Sequence, residues 1–521
     1  MSNRNGSRRY FRINNMTGLV NTMAEDNAYL TLDPNANLGV GFSSVPFEFK
    51  RVENFLPTNR GGLSKTFGYT VYHDVGSAVP ITGLYRYIRA NDTSHFMLSY
   101  GDSLYTLLGG SLSAIGMSIS NGALVSFETA YDKLIVCDGV GGPQTYDGSS
   151  VASLTSGDDV TAALGARQAV FHQNRMFLFS TSHDQSLLYY SEGGLIGQGY
   201  ASNFVNCNVN DGQKITAIAR FFIPGDLQPV LIVAKERSLG VVIGDGTLTN
   251  PYTYIKVAED IGVPGFRQIV QFEQDAAFFT KQGICSYQSS QSNDNLERRM
   301  LSKNIANQFT SLSSAYLSNA LGWLDWKRRR VTFAVPEGSS QYANKLWHYD
   351  TDLGGFYAQT GFDVTSVMVD TDGTVYTGTS SGQVLVHEEN VHAYGGEKIQ
   401  GIIQTPYLDF FEPHYYKRIV DGRVIVRGNG SYNLGISAKT NNGIGIGSSH
   451  TVALSGGAYT WGAGNWSDDG AYQWATAPLT RNKFFPGGIF ENISFTITQN
   501  GKEEPVDFLE MILEVEYLNL S

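Results

Sequence analysis

The sequence has few of the features that cross-link, anchor or export a chain. Among its 521 residues are three cysteines, Cys137, Cys207 and Cys285, an odd number that forms no CxxC pair. This excludes a disulfide framework and predicts buried free thiols in a protein made in a reducing cytosol. There is no long apolar run, and the arginine-bearing N-terminus lacks the apolar stretch of a secretory signal. We therefore expect no membrane anchor and no export signal.

Charge is also scarce, and what there is favours the acidic side. Charged residues make up 16% of the chain, and 48 acidic residues against 37 basic ones give a formal net charge of −11. Tight general binding of nucleic acid depends on lysine and arginine side chains that neutralise phosphates. The composition therefore argues against a protein that binds nucleic acid tightly and without sequence preference.

No motif of catalysis, metal binding or cofactor binding is present. A GxSxG elbow, a Walker loop, an HExxH helix and a spaced Cys/His quartet are all absent, and the nine histidines are scattered. Two acidic segments superficially resemble known sites: NVNDG (208–212) resembles a calcium loop and VDTDGTVYTG (369–378) a sialidase-like turn. Both compositions are typical of ordinary hairpin turns, which is the favoured interpretation. We predict no enzyme, no cofactor and no metal.

What the chain does have is glycine and aromatic residues. It contains 58 glycines, 29 tyrosines and 29 phenylalanines, as expected for many short strands joined by tight turns. Five segments share one pattern of strand, polar turn and second strand, namely YGDSLYTL, YDKLIVCDG, HQNRMFLFS, VDTDGTVYTG and TKQGICSY. Their recurrence at roughly 40 to 55 residues predicts an all-β fold, a β-propeller of six or seven blades. Stacked β-sandwiches remain the competing architecture.

Changes in composition and in residue patterning along the chain predict the domain limits. Residues 1–45 are rich in Asn, Gly and Asp and are expected to form an N-terminal arm or small subdomain. Residues 46–396 are expected to form the propeller. Residues 397–521 contain well-alternating strands and are predicted to form an antiparallel β-sandwich-like domain.

Two basic groups are candidate partner contacts. The first is near the N-terminus, with Arg8, Arg9 and Arg12. The second is Lys327, Arg328 and Arg329 within WKRRR (326–330), which adjoins a tryptophan. Such a cluster can contact DNA or an acidic partner, yet a hairpin position favours a solvated loop tip, with subunit pairing as the next interpretation.

Three stretches carry a resemblance to a known family. They are VENFLPTNRGGLSKTFGY (52–69), the segment from Asp211 to Gly246 that contains DGQKITAIARFF and LIVAKERSLGVVIGDG, and WKRRRVTFAVPEG together with NKLWHYDTDLGGFYAQ. HYYKRIVDGRVIVRGNGSYNLGISAKT near the C-terminus adds to the likeness. In their amino-acid sequence and their order along the chain they resemble the tail nozzle, or tail tubular, proteins of short-tailed bacteriophages.

This resemblance implies a structural protein of the virion tail, assembled in the host cytoplasm. The family implies a ring of six copies below the portal and adaptor protein, in contact with tail fibres or spikes. Genomic DNA would pass through the lumen without sequence-specific binding. An acidic wall suits such a conduit, because each cationic contact would add a phosphate-binding minimum.

Two other classes of function stay open at this point. A receptor- or carbohydrate-binding propeller would use the tryptophan-rich stretch, where Trp461, Trp466 and Trp474 offer sugar-stacking faces. A secreted propeller hydrolase is disfavoured by the missing motif and signal.

Overall fold

A computed structural model describes the chain over residues 8–13, 16–19, 29–30, 47–58, 62–179, 182–209, 211–222, 229–287, 300–388, 391–410, 412–428, 431–440, 449–455 and 479–518. Contacts divide the chain into two compact units. The first, here the propeller unit, comprises Val71–His348 and Phe362–His387. The second, here the sandwich unit, comprises Met1–Thr70, Tyr349–Gly361 and Glu388–Ser521.

Nearly all regular structure is strand. The first strands are β1 (Arg8–Ile13), β2 (Met16–Leu19), β3 (Tyr29–Leu30), β4 (Phe47–Phe49), β5 (Arg51–Glu53), β6 (Phe55–Pro57) and β7 (Leu63–Lys65). The blade strands are β8 (Tyr69–Asp74), β9 (Ile81–Ile88), β10 (Ser94–Tyr100), β11 (Ser103–Leu108), β12 (Ser111–Ser118), β13 (Ser126–Ala130), β14 (Lys133–Cys137), β15 (Gln144–Tyr146), β16 (Val151–Ser153), β17 (Gln168–His172), β18 (Arg175–Phe179), β19 (Leu187–Tyr190), β20 (Phe204–Asn206), β21 (Ile215–Phe222), β22 (Pro229–Lys235), β23 (Ser238–Ile243), β24 (Thr253–Glu259), β25 (Ile269–Phe272), β26 (Asp275–Thr280), β27 (Gly283–Ser286), β28 (Leu321–Asp325), β29 (Arg330–Val335), β30 (Ala343–Asp350), β31 (Phe356–Val364), β32 (Ser366–Val369), β33 (Val375–Gly378) and β34 (Gln383–His387). The last strands are β35 (Ala393–Tyr394), β36 (Glu397–Gln404), β37 (Tyr407–Leu408), β38 (Tyr416–Gly428), β39 (Ser431–Thr440), β40 (Ser449–Ser455), β41 (Leu479–Phe484), β42 (Ile493–Gly501) and β43 (Val506–Leu518). The helices that fall within the described ranges are short: α1 (Asp159–Ala163) and the 3-10 segments Lys303–Ser311 and Leu317–Asn319.

The strands of the propeller unit form seven consecutive antiparallel blades in the part of the chain that the structure describes. Four of them are complete sheets of consecutive strands, β9 to β12, β13 to β16, β17 to β20 and β21 to β24, and β25 to β27 form a three-stranded fifth. The sixth consists of β28, β29 and β30, followed in the same sheet by β31, of which residues 362–364 belong to the propeller unit. The first strands of successive blades contact one another in order, and β32 of the seventh blade contacts β9 of the first. This closed ring confirms the predicted propeller and sets the blade number at seven.

The seventh blade is completed by a strand from outside its own sequence repeat. Its strands β32, β33 and β34 are followed in the sheet by β8, which precedes the first blade in the chain. The Val75 N–H donates to the Gly382 carbonyl, and the Gln383 side chain donates to Asp74 at 2.9 Å. The ring is thus closed by hydrogen bonds between the beginning and the end of the propeller sequence.

The apolar core of the propeller lies between adjacent blades. Along each first strand, apolar residues either alternate with polar ones or follow one another directly. Both faces of a blade therefore bury side chains against its neighbours. One cluster joins the first two blades through Tyr87, Met97 and Leu134, and another joins the fourth and fifth through Ile232 and Phe278. The predicted free cysteines are confirmed, because all three are buried and unbridged. Burial raises the pKa of Cys137 to about 12, so its thiol is inert.

The blades give the propeller unit two distinct ends. At one end, here called the turn face, each first strand turns into the second strand of its blade. At the other end, here called the entry face, each first strand begins. Turn-to-turn contacts confirm that these hairpins share one end: Ala90 N–H donates to Asp132, and Arg329 donates to Glu273 at 3.0 Å.

The sandwich unit is built from two groups of paired strands. In one group, β38 lies between β41 and β43, and β43 also pairs with β1 and β7. In the other, β42 pairs with β36, β37 and β39, and β39 pairs with β40. Alternation along β43 buries residues such as Met511, Leu513 and Val515, as expected for a sandwich strand.

The early strands belong with this unit rather than with the blades. The predicted boundary near residue 46 assigns β5 to β7 to the propeller, whereas Val52 pairs with Ile403 and Ser64 with Asp507. Local hairpin patterns cannot reveal this, because the partners follow only after the whole propeller sequence. Of the described strands in the predicted arm, residues 1–45, β1 pairs with β43 and β3 with β37, both near the C-terminus, whereas β2 pairs with β4.

Candidate functional site

Basic side chains gather at the mouth of the ring on the entry face. Arg167 directly precedes β17, Lys214 precedes β21, and Arg267 lies two residues before β25. Because first strands surround the propeller axis, residues that precede them converge on the centre. Arg167, Lys214 and Phe266 line a pocket of about 250 Å³ there, together with residues of neighbouring loops and strands such as Thr216 and Asn319.

The two arginines share one aromatic ring. The guanidinium carbon of Arg167 lies 4.4 Å from the centroid of the Phe266 ring, and that of Arg267 lies 5.5 Å from the same centroid. Phe266 is itself buried. A ring face between two cations stabilises both, since its quadrupole is negative above and below the plane.

The partners of both guanidinium groups are mostly backbone carbonyls. Arg167 donates to the Asp138 carbonyl oxygen at 2.7 Å, and Arg267 donates to that of Thr365 at 2.8 Å. The Nε–H of Arg267 has no hydrogen-bond partner among the described residues. Burial, followed by the charge of Arg167, lowers the pKa of Arg267. Both guanidinium groups are thus held by backbone carbonyls, while the third cation of the group, Lys214, lies 3.6 Å from Glu236.

The Asp138 carboxylate, close to Arg167, is already hydrogen-bonded to neighbouring loops. Asp138 accepts hydrogen bonds from the backbone N–H groups of Ser120, Val140 and Gly141 and from the Ser120 hydroxyl. These bonds lower the pKa of Asp138 against the opposing effect of burial, which is the largest single contribution. Asp138 therefore fixes the loop behind Arg167 while its carboxylate stays ionised.

The sequence contained a signal for this site that pattern analysis missed. The segments ARQAV (166–170) and FRQIV (266–270) occupy equivalent positions in the third and fifth blades. In each, the glutamine after the arginine bonds to the next blade: Gln168 accepts from Ile218 N–H, and Gln268 donates to the Leu317 and Ala320 carbonyls. An Arg-Gln pair repeated before an apolar strand thus marks the channel mouth.

We expect Gln268→Met to destabilise the protein by about 2–4 kcal/mol. Gln268 is fully buried and also accepts from Gly265 N–H, so methionine would leave buried donors and acceptors unpaired. Urea denaturation measures the cost, and Gln168→Met is the matched control. Gln168 is only partly buried with one bond of this kind, so a loss equal to that of Gln268→Met would contradict the assignment.

The predicted basic cluster at 327–329 forms the hairpin turn between β28 and β29, on the turn face. Arg328 donates to Asp325 at 2.8 Å, and Arg329 donates to Glu273 of the preceding blade at 3.0 Å. Lys327 lies against Gly373 of the following blade. The cations are thus partly neutralised within the chain, and the turn links three blades.

The predicted N-terminal arginines lie on β1 in the sandwich unit. Arg9 is exposed, lies 3.6 Å from Glu412, and places its guanidinium 5.2 Å from the centroid of the Tyr517 ring. The side chains of Arg8 and Arg12 lie outside the described part of the structure. Since β1 and the 327–329 turn fall in different units, each group is a separate candidate contact.

The turn face exposes large apolar side chains from several blades. They lie at first-strand ends and in the outer turns of the same face: Ile88, Leu108, Tyr131, Leu195, Phe222, Leu248 and Trp326. Scattered exposed apolar residues are normal, whereas a contiguous set marks an interaction surface, so the turn face is a candidate for one. Trp326 adjoins the paired cations of the 327–329 turn, a composition enriched in protein interfaces.

The two acidic segments serve the fold, as their interpretation as turns predicts. Asp211 of NVNDG forms an ion pair with Lys235 at 2.8 Å. Asp370 pairs with Arg86, while Asp372 accepts from Thr374 N–H at 2.8 Å in the β32–β33 turn. Over the described ranges, no group of three or more His, Cys, Asp or Glu side chains is arranged to hold a metal ion.

Acid is expected to destabilise the propeller through His172. This residue is buried next to Phe177, and burial, with the charge of Arg220, lowers its pKa to about 4. Between the unfolded value near 6.5 and that value, only the unfolded chain binds the proton. The contribution of His172 to stability is therefore complete above about pH 6.5 and falls by about 2 kcal/mol as the pH drops to roughly 5.

Denaturation curves of His172→Gln at the two pH values test this effect. The variant should lose less stability on acidification than the parent protein. His183→Gln is the control, because that histidine is exposed. An unchanged acid response in His172→Gln would rule out this histidine as a source.

Two sequence predictions lie partly or wholly beyond the description. Trp461, Trp466 and Trp474 of the proposed sugar-stacking stretch are outside the described residues. Within the described ranges, no helix has the length and apolar character needed to cross a bilayer.

Comparisons with known proteins find solved structures of low similarity. No protein-family model matches the sequence, and no curated protein matches it. Among solved structures, the WD40 β-propeller domain of Doa1 is 9% identical with a TM-score of 0.38, over 62% of this chain and 97% of that one. YCF48 from Cyanidioschyzon merolae is 11% identical with a TM-score of 0.37, over 60% and 97%. The computationally designed Ika8 protein is 11% identical with a TM-score of 0.36, over 61% and 99%. The assignment of this chain as a β-propeller protein rests on its closed ring of blades.

Proposed function

We propose that this chain is a structural protein of a short-tailed phage virion, one of six copies in the ring that forms the tail nozzle. In this role it performs no chemistry on a substrate. The propeller serves as a rigid wall block, the ring docks below the adaptor protein, and tail fibres or spikes attach to the assembly. DNA passes through the lumen without being read.

The likeness to nozzle proteins is spread over both units. Its first stretch, residues 52–69, runs along β5, β6 and β7 of the sandwich unit to the start of β8. Its second stretch, from Asp211 to Gly246, contains the inner three strands of the fourth blade. A resemblance carried by strands throughout the chain supports a shared architecture rather than a shared active site.

The observation that carries the proposal is the apolar turn face. A chain that worked alone would have little reason to expose Ile88, Phe222 and Trp326 on one end of a rigid ring of blades. A neighbouring protein subunit covers such residues, with the aromatic ones as anchors. We assign this face to contact with the next copy of the chain in the ring.

The net charge of −11 per copy supports a conduit that does not hold DNA. The cations at 327–329 face carboxylates of their own chain, which limits the phosphates they attract. Acidic walls repel the DNA backbone and allow it to slide.

Assembly of turn-face variants tests the interface. We expect Trp326→Ser combined with Leu248→Ser to weaken ring formation at least tenfold in sedimentation velocity, while the melting temperature changes little, since both side chains are exposed. Val140→Ser is the matched control, because Val140 is equally exposed but lies in a loop of the entry face. Equal assembly by the double variant and the control would refute the interface.

A further inference from the structure

A buried lysine of the sandwich unit lies against a side-chain amide. Lys65 ends β7, is 1% exposed, and its Nζ contacts the Oε1 atom of Gln499. The same Nζ donates to the Gly501 carbonyl at 2.8 Å. Gln499 lies on β42 and is equally buried. The amine and the carboxamide are therefore held together away from solvent.

A carboxylate completes the group. The Nε2 atom of Gln499 donates to Oε2 of Glu504 at 2.5 Å. Glu504 folds back over Gly501, where a Cβ atom would lie only 1.4 Å from Oε2. A glycine is thus required at 501 for the carboxylate to reach the amide, and the three side chains form a continuous chain of contacts.

The environment favours the reactive form of the amine. Burial lowers the pKa of Lys65 to about 8, against the opposing charges of Glu504 and Glu503. Near neutral pH a usable fraction of the amine is then unprotonated, and a neutral lysine amine is a nucleophile. Lys417 is a useful comparison: its pKa is also lowered to about 8 and its Nζ also donates to a backbone carbonyl, that of Glu491, whereas Lys65 meets the Gln499 carboxamide as well.

We propose that Lys65 and Gln499 form an intramolecular isopeptide bond, with Glu504 as the proton-transfer group. The lone pair of the neutral Nζ attacks Cδ of Gln499 and forms the new C–N bond. Glu504 accepts the proton that Nζ gives up and delivers it to Nε2. The Cδ–Nε2 bond then breaks, and ammonia leaves. Amine plus primary amide gives secondary amide plus ammonia, so no oxidant or other reactant is needed.

The position of the bond gives it a mechanical use. Lys65 and Gln499 are 434 residues apart, and all the blade strands lie between them in sequence. A covalent link would tie the strands before the propeller to those after it within the sandwich unit. Such a closure restricts the unfolded chain and prevents these strands from separating under load. The inference goes beyond the proposed tail function and does not depend on it.

Mass spectrometry of the purified full-length protein tests the bond directly. The intact mass in denaturant is expected to fall short of the sequence mass by one ammonia molecule. Tryptic digestion is expected to give a branched peptide that joins the segments containing Lys65 and Gln499. A full sequence mass, with both segments recovered as linear peptides, would overturn the proposal. Ammonia loss found within a linear peptide, as from a succinimide at Asn500, would overturn it as well.

Variants separate the chemistry from the fold. Glu504→Gln should retain a cooperative unfolding transition but give the full sequence mass, and Lys65→Arg should do the same. Lys417→Arg is the control and should keep the ammonia loss and the branched peptide. An intact cross-link in folded Glu504→Gln would exclude Glu504 as the proton-transfer group. If neither variant folds, the mass of the unaltered protein still decides whether the bond exists.

Discussion

Asp211→Asn is expected to cost the protein about 3–5 kcal/mol of stability, because it leaves the buried Lys235 ammonium without its counter-charge. The Nζ atom of Lys235 is fully buried and lies 2.8 Å from both carboxylate oxygens of Asp211. It also donates to the Cys207 carbonyl at 2.7 Å. Removing the carboxylate leaves the ammonium with dipoles alone. Urea denaturation monitored by tryptophan fluorescence gives the free energy of unfolding.

The double variant Asp211→Asn, Lys235→Met provides the sharpest comparison. Removing both charges should recover a large part of the loss, since replacing a whole buried pair costs less than breaking it. The nearby pair of Lys214 and Glu236 is the control: both side chains are nearly half exposed and lie 3.6 Å apart. Glu236→Gln should cost less than about 1 kcal/mol. If Asp211→Asn also cost less than about 1 kcal/mol, the buried pair would contribute no more to stability than the exposed pair.

Trp347→Ala is expected to destabilise the protein by about 3–5 kcal/mol, the usual cost of a large aromatic cavity. Trp347 is 1% exposed, packs 5.7 Å from the Phe309 ring, and lies below the Lys345 ammonium at 4.9 Å. Alanine would leave a void in the sixth blade that its strands cannot close. Thermal and chemical denaturation give the effect.

Trp326→Ala is the matched control for this prediction. Trp326 is 51% exposed on the turn face and its ring lies over Gly373, so its loss should cost less than about 1.5 kcal/mol while reducing assembly. The two tryptophans thus separate stability from association. If Trp326→Ala destabilised the monomer as much as Trp347→Ala, the side chain would belong to the core and not to an interface.

The sequence allowed the hairpins to be predicted, but not their place in the blades. YDKLIVCDG and HQNRMFLFS fall on turns between first and second strands, whereas YGDSLYTL and TKQGICSY fall on turns between second and third strands. Turn chemistry is the same in both places, since Asp, Asn and Gly are selected by local backbone angles such as the positive φ at Asp132 and Asn174. A repeat length read from such turns is therefore irregular, and the blade number stays ambiguous.

Features that depend on distant partners were out of reach. β8 completes the seventh blade from the other end of the propeller sequence, and Lys65 lies 434 residues before its partner Gln499. Neither β8 nor Lys65 has a local sequence feature that predicts its partner. By contrast, the repeated Arg-Gln pairs at 167–168 and 267–268 were readable, because equivalent positions in a repeat impose the same contacts. Alignment of the blades on their first strands would have found them.

Negative-stain electron microscopy of the purified protein, at a concentration high enough to favour assembly, is the decisive experiment for the nozzle assignment. We expect six-fold rings with a central hole, lost in the Trp326→Ser, Leu248→Ser variant and kept in Val140→Ser. Isolated propeller-sized particles at every concentration, also in the presence of the adaptor protein, would contradict the nozzle assignment and point to a monomeric binding propeller.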